Sequence, residues 1–99
     1  MGTKLSPLDD ALYRGTDEVL HYKWDPIGIS DFPEARDEYH QYLPQVFGLL
    51  KGDADAAKIA AYLSEITTER MGLKKNHQHD IQIAELLLDL QRFINGSDT

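Results

Sequence analysis

The chain contains no cysteine, so neither a disulfide framework nor thiol chemistry is available to it, and the expected setting is a reducing cytoplasm. Long apolar runs are also missing. The strongest cluster, Ile81 to Leu90, is interrupted by Gln82, Glu85 and Asp89, which excludes a membrane-spanning reading. Met1 to Pro7 holds no apolar core of a secretion signal. Positive charge is scarce: ten Lys and Arg stand against seventeen Asp and Glu, for a net charge of −7. Such a surface repels nucleic acid and anionic membranes, so neither is expected as a partner, and it attracts basic protein. The imbalance is uneven. Residues 1–38 hold nine acids against four bases, and residues 39–99 hold eight against six.

The usual catalytic signatures are absent as well. No serine lies in a nucleophile elbow, and Ser30 and Ser64 have no evident base. No glycine-rich phosphate loop occurs. His77 and His79 flank Gln78 beside Asp80, too small a set for a specific metal centre, and they read as solvated connector residues. Asp37 and His40 have the spacing of a carboxylate-histidine motif in di-iron bundles, but a second such motif is missing. The chain is therefore expected to be non-enzymatic, with no cofactor.

What is present is helical patterning. At 41% apolar residues over 99 positions, the chain is long enough for one domain with one core. Ser6-Pro7-Leu8-Asp9 reads as a helix start, with Ser6 as cap and Pro7 at the first helical position. Gly15-Thr16 interrupts the stripe and suggests two short helices. Val19 to Trp24 is compatible with strand or helix; with no second strand to pair with, it is expected to be helical. Asp31-Phe32-Pro33-Glu34 has the form of a capping box opening a regular helix through Tyr39, Tyr42, Val46 and Leu50, with a kink or brief break near Tyr42–Pro44. Gly52 and Asp53 read as a stop and a new cap, Gly72-Leu73 as a Schellman-type end, and Asn76 as a cap for the last helix. The expected fold is all-α: a compact single-domain bundle of about four helices with short loops, spanning 1–99 with 1–5 and 96–99 frayed.

The most distinctive stretch is Trp24-Asp25-Pro26-Ile27-Gly28. Asp, Pro and Gly at its first, second and fourth turn positions match a type I turn. The proline pushes Asp25 toward extended backbone, leaving its carboxylate to accept an N–H two residues on. Trp24 is expected to pin the turn to the core. With Glu34-Ala35-Arg36-Asp37-Glu38-Tyr39 and Glu69-Arg70-Met71-Gly72-Leu73, this stretch resembles a family of small uncharacterised all-helical bacterial proteins with a W-D-P-[IL]-G turn. That resemblance implies a compact helical fold and no established activity.

Five tyrosines among nine aromatic residues add interface-prone area. Tyr39 and Tyr42 fall on the core stripe, whereas Tyr62 lies off its helix's strongest stripe. The binding candidates are Trp24, Asp25, Asp31, Glu34, Asp37, Glu38 and Tyr62. The leading expectation is an acidic protein-interaction module, in its sharpest form an immunity- or antitoxin-like protein docking on a basic partner. The alternatives are a small-molecule or enzymatic pocket around Trp24 and Asp25, and a structural subunit using the apolar side of the last helix (Ile83, Leu86, Phe93).

Overall fold

Four α-helices carry the fold in a computed structural model, which describes residues 5–96: α1 Pro7–Glu18, α2 Leu43–Lys51, α3 Ala56–Glu65 and α4 His77–Gly96. No strand occurs among the described residues. The first five residues and the last four were expected to fray; of these, only Leu5 and Gly96 lie within the described residues. The Cα radius of gyration is 13.4 Å, about the value for a single folded chain of roughly 100 residues.

Each helix starts for a local reason. The Ser6 hydroxyl accepts from Asp9 N–H at 3.1 Å, and Pro7 occupies the first turn of α1. The Asn76 side chain accepts from His79 N–H at 3.2 Å and caps α4. Asp55, not Asp53, caps α3, accepting from Lys58 N–H at 2.9 Å. Asp53 instead adopts φ +63° in the link after Gly52.

Helix α1 runs unbroken through Gly15 and Thr16, against the two short helices expected. The Thr16 hydroxyl does not cap. It donates to the Leu12 carbonyl one turn back at 2.7 Å. Gly15 lets α1 approach α4 closely: a Cβ there would lie 2.7 Å from Leu90 Cδ2, so that side chain would have to move.

Val19–Trp24 is helical, but wound as a π-helix, and Ile66–Arg70 after α3 is another. Both close on an i→i−5 bond, Asp25 N–H to Leu20 O at 3.1 Å and Met71 N–H to Ile66 O at 3.0 Å. At the second of these, side-chain hydroxyls compete for a carbonyl: Thr67 and Thr68 each donate to Ser64 O at 2.9 Å. Such back-bonding distorts helices. A left-handed residue follows each widened turn, Asp25 (φ +34°) and Gly72 (φ +66°). Leu73 N–H then reaches Thr67 O at 2.8 Å, a closure one residue wider than the 6→1 bond of the Schellman-type end expected at Gly72-Leu73.

The largest departure from expectation is at residues 31–42. No regular helix starts at Asp31 and no capping box forms. Phe32 precedes a single 3₁₀ turn, Pro33–Ala35, and another follows at His40–Tyr42. The break near Tyr42–Pro44 is present as the start of α2, whose first turn Pro44 occupies, where its missing N–H costs nothing.

The core gathers Leu12, Leu20, Trp24, Tyr39, Leu43, Val46, Leu50, Ile59, Leu63, Ile66, Ile83 and Leu87 around the α3–α4 pair, with α1 laid across α4 and α2. The wide apolar face of α4 is only partly used: Ile83 and Leu87 are buried, but Leu86 is 39% and Phe93 75% exposed. No helix among the described residues is long and apolar enough to cross a membrane. The two capping candidates before α3 are separable by mutation. Asp55→Ala is expected to lose about 1 kcal/mol in chemical denaturation, whereas Asp53→Gly, at a left-handed position, is expected to lose nothing.

Candidate functional site

Trp24 ends the first π-helical turn and is 1% exposed. Its indole Nε1–H donates to Asp80 Oδ1 at 3.1 Å, and the Ser64 hydroxyl donates to Asp80 Oδ2 at 2.7 Å. Asp80 is 2% exposed in the first turn of α4, where the helix dipole favours its charge. A buried carboxylate demands partners, and here they are two neutral donors from two other segments. The neighbouring His79 places Nε2 2.9 Å from the Trp24 carbonyl. A carbonyl only accepts, so this imidazole carries its proton on Nε2. His79 is thus a clamp on the turn rather than a solvated connector residue, while His77 is exposed.

Asp25 does not take the extended conformation expected before Pro26. Its left-handed backbone, φ +34° and ψ +60°, turns its carboxylate into the loop that follows. There it accepts from Gly28 N–H (3.1 Å), Ile29 N–H (2.8 Å), Ser30 N–H (3.1 Å) and the Tyr39 hydroxyl (2.8 Å). The N–H of Ile27, two residues on, donates to Tyr39 Oη at 3.0 Å instead. The turn bond itself is present, Gly28 N–H to Asp25 O at 3.2 Å. Successive N–H groups of this kind form an anion-binding nest, and the chain fills the nest with its own side chain. Burial pushes the Asp25 carboxyl up, but the bonds from Ile29, Tyr39 and Ser30 outweigh it and hold the group below the usual carboxylate range. The Tyr39 hydroxyl is raised well above the ordinary phenol value, chiefly by burial, with Asp25 adding to it against the Ile27 bond.

A second anchor fixes the far end of the segment. The Arg36 guanidinium grips Asp17 of α1 with two bonds of 3.0 Å, His40 Nε2 lies 3.0 Å from the same carboxylate, and Arg36 sits 5.5 Å from the Tyr22 ring centroid. His40 therefore pairs with Asp17, not Asp37. Among the described residues no group of three or more His, Asp or Glu is placed to hold a metal ion.

Between these anchors lie Asp31, Glu34, Asp37 and Glu38, all exposed. None of the four is in an ion pair among the described residues. Two large apolar side chains stand out in the same segment, Phe32 at 52% and Ile27 at 47% exposure. A cleft of about 640 Å³ opens beside the turn, lined by Ile27, Tyr42, Met71 and Leu73 with Glu38, Gln41 and Arg70. Of the sequence candidates, Trp24 and Asp25 sit beneath the turn as its support and the four acids lie on the segment it holds. Tyr62 stands apart on α3, partly buried against the core, its hydroxyl raised mainly by that burial and lowered by Arg70.

Sequence reasoning missed Asp80, Ser64, Tyr39's hydroxyl, the Arg36–Asp17–His40 cluster and Arg70. Two of these carried a signal. Asp80 shares a helical stripe with Ile83, Ala84 and Leu87, and Ser64 shares one with Ala60, Leu63 and Thr67. A polar residue on a core stripe announces a buried hydrogen bond.

No family model matches the chain, and no solved structure does. The chain is 35% identical over 89 residues to gibberellin 20 oxidase 1-A of Triticum aestivum. The match takes in 89% of this chain but only 24% of that protein's length, so it assigns this chain neither a family nor an activity.

Two predictions follow from the turn. Asp80→Ala, which strands the Trp24 and Ser64 donors, is expected to destabilise by about 3 kcal/mol or more, and Ser64→Ala by about 1 kcal/mol, in denaturant titrations. Asp25 is depressed in the folded state, so its charge stabilises the fold above the unfolded carboxyl pKa of ~3.9. That stabilisation is lost as pH falls through the lower folded value. Asp25→Asn is expected to lower the melting temperature at neutral pH and to flatten its fall below about pH 4.

Proposed function

We propose that this chain is a non-enzymatic protein-interaction module that presents its acidic 31–38 segment to a basic protein partner, in the manner of an immunity or antitoxin protein in a bacterial cytoplasm. The observation that carries this reading is the composition of the segment between Ile27 and Glu38. Four exposed carboxylates, in no ion pair among the described residues, lie in the same short segment as exposed Phe32, on backbone pinned at Asp25 and at Arg36. The carboxylates supply long-range attraction, which chiefly raises the association rate. Phe32 and Ile27 supply apolar anchors of the kind that dominate binding energy. The cleft lined by Ile27, Tyr42, Met71 and Leu73 offers an apolar seat for a partner side chain, with Glu38, Gln41 and Arg70 at its polar side. The absence of cysteine is consistent with the cytoplasmic location.

The competing pocket reading loses support from the same geometry. The indole of Trp24 is covered and its N–H is taken by Asp80. The carboxylate of Asp25 is already filled by the chain's own donors.

The test is affinity capture from bacterial lysate with the native chain and with the Asp31→Asn/Glu34→Gln/Asp37→Asn/Glu38→Gln variant side by side. A basic protein retained by the native chain is expected to associate with the variant at least about tenfold more slowly at low salt, with the difference shrinking as salt rises. Equal retention by both chains would sink the assignment of this face.

A further inference from the structure

A different face carries an independent inference. Gly15 lets α1 close on Leu90 of α4, and beside that contact a shallow apolar groove of about 440 Å³ runs between α4 and the end of α1 with the π-helical turn that continues it. It is lined by Val19, Tyr22, Leu86 and Leu90, with Glu18 and Lys23 among them. Tyr22 is 54% and Leu86 39% exposed. The other acids of α1 are matched within the chain: Asp9 with Lys51, Asp10 with Arg14, Asp17 with Arg36. Glu18 and Lys23 are both exposed, and neither is in an ion pair among the described residues. One apolar groove thus carries one unmatched charge of each sign.

That combination is self-complementary. In a two-fold contact, residue i of one copy meets residue j of the other, and j meets i. An axis through the middle of the 18–23 stretch, with the two stretches antiparallel, sets Glu18 against the partner copy's Lys23 and Val19 against its Tyr22. Each pairing occurs twice. Both unmatched charges are satisfied and both apolar stripes are covered in a single register. We infer that the α1–α4 groove is the contact between two copies of this chain, paired as an isologous dimer. A heterologous occupant would need a charge pattern of its own to match; a second copy has it already. The net charge of −7 on each copy opposes the pairing, so the contact is weak and concentration-dependent. The acidic residues Asp31, Glu34, Asp37 and Glu38 are not among the groove residues, although Arg36 of their segment lies 5.5 Å from the Tyr22 ring centroid; the charge reversals at Glu18 and Lys23 leave those four acids untouched.

The experiment is light scattering coupled to size exclusion on the full chain, from about 5 µM to about 500 µM, the span suited to an interface at the small end of the size range. The native chain is expected to rise with concentration from 11.2 kDa toward twice that mass. Leu86→Glu, Glu18→Lys and Lys23→Glu are each expected to stay monomeric with unchanged circular dichroism. The decisive arm mixes the two charge reversals. One chain then has two positive rim charges and the other two negative, so a heterodimer forms although neither chain pairs with itself. A double reversal, Glu18→Lys with Lys23→Glu, is expected to regain self-pairing. A native chain that stays monomeric across the range overturns the inference. So does a native dimer that survives Leu86→Glu, or one indifferent to both charge reversals.

Discussion

The carboxylate of Asp80 is the contact on which the packing of this small fold depends. It reaches Trp24 across fifty-six residues of sequence and Ser64 across sixteen, joining the first half of the chain to the α3–α4 pair. No cation sits within ion-pairing distance of it among the described residues, so hydrogen bonds must offset its desolvation. A group of this kind specifies more than it stabilises. An apolar side chain of the same size would pack but would not dictate where the indole N–H points. With the indole fixed, Tyr39 and Tyr42 close on the ring at centroid distances of 5.3 and 6.4 Å, and His79 locks the carbonyl at the turn.

From that anchor the turn is built by satisfying backbone donors. Residues 25–42 have little continuous helix, so their N–H groups need other acceptors. Asp25 takes three of them, and Tyr39 Oη takes a fourth while donating to Asp25. The 3₁₀ turns at Pro33–Ala35 and His40–Tyr42 account for several more. Without a helix, the segment still acquires a defined shape, because side chains replace the regular ladder.

How far the sequence disclosed this depends on the range of the interaction involved. Ser6, Pro7, Asn76 and the Gly72-Leu73 end act within six residues, and local chemistry identified them. Trp24 was legible as a core anchor because a lone tryptophan beside a rigid turn has few other uses. The failures have more than one cause. Asp31 to Tyr42 has the letters of a capped amphipathic helix, yet the bonds that decide its conformation go to Asp25 and Asp17, far away in sequence. Asp53 looked a better cap than Asp55 only because it directly follows Gly52. Asp25 departs from its pre-proline preference because four hydrogen bonds outweigh a local bias of about 1 kcal/mol or so. Of the turn, the anchoring role of Trp24 was readable from the sequence; the part played by the Asp25 carboxylate, which gathers three backbone N–H groups and the Tyr39 hydroxyl, was not.

The arrangement of charge separates two uses of acidity that composition merges. Asp9, Asp10 and Asp17 on α1 are each matched to a cation of the chain. The last of them is the post to which Arg36 ties the acidic segment. Exposed pairs of this sort contribute little stability individually, and their fields cancel at short range. Asp31, Glu34, Asp37 and Glu38 are in no ion pair among the described residues, so no cation in direct contact neutralises them. Solubility alone requires neither that clustering nor the company of an exposed phenylalanine, and a large exposed apolar side chain works against it. The proposed function accounts for the combination: the carboxylates would draw in a basic surface and Phe32 would close an apolar contact with it. The rigidity supplied by Asp25 and Arg36 lowers the ordering entropy that such a contact would otherwise cost.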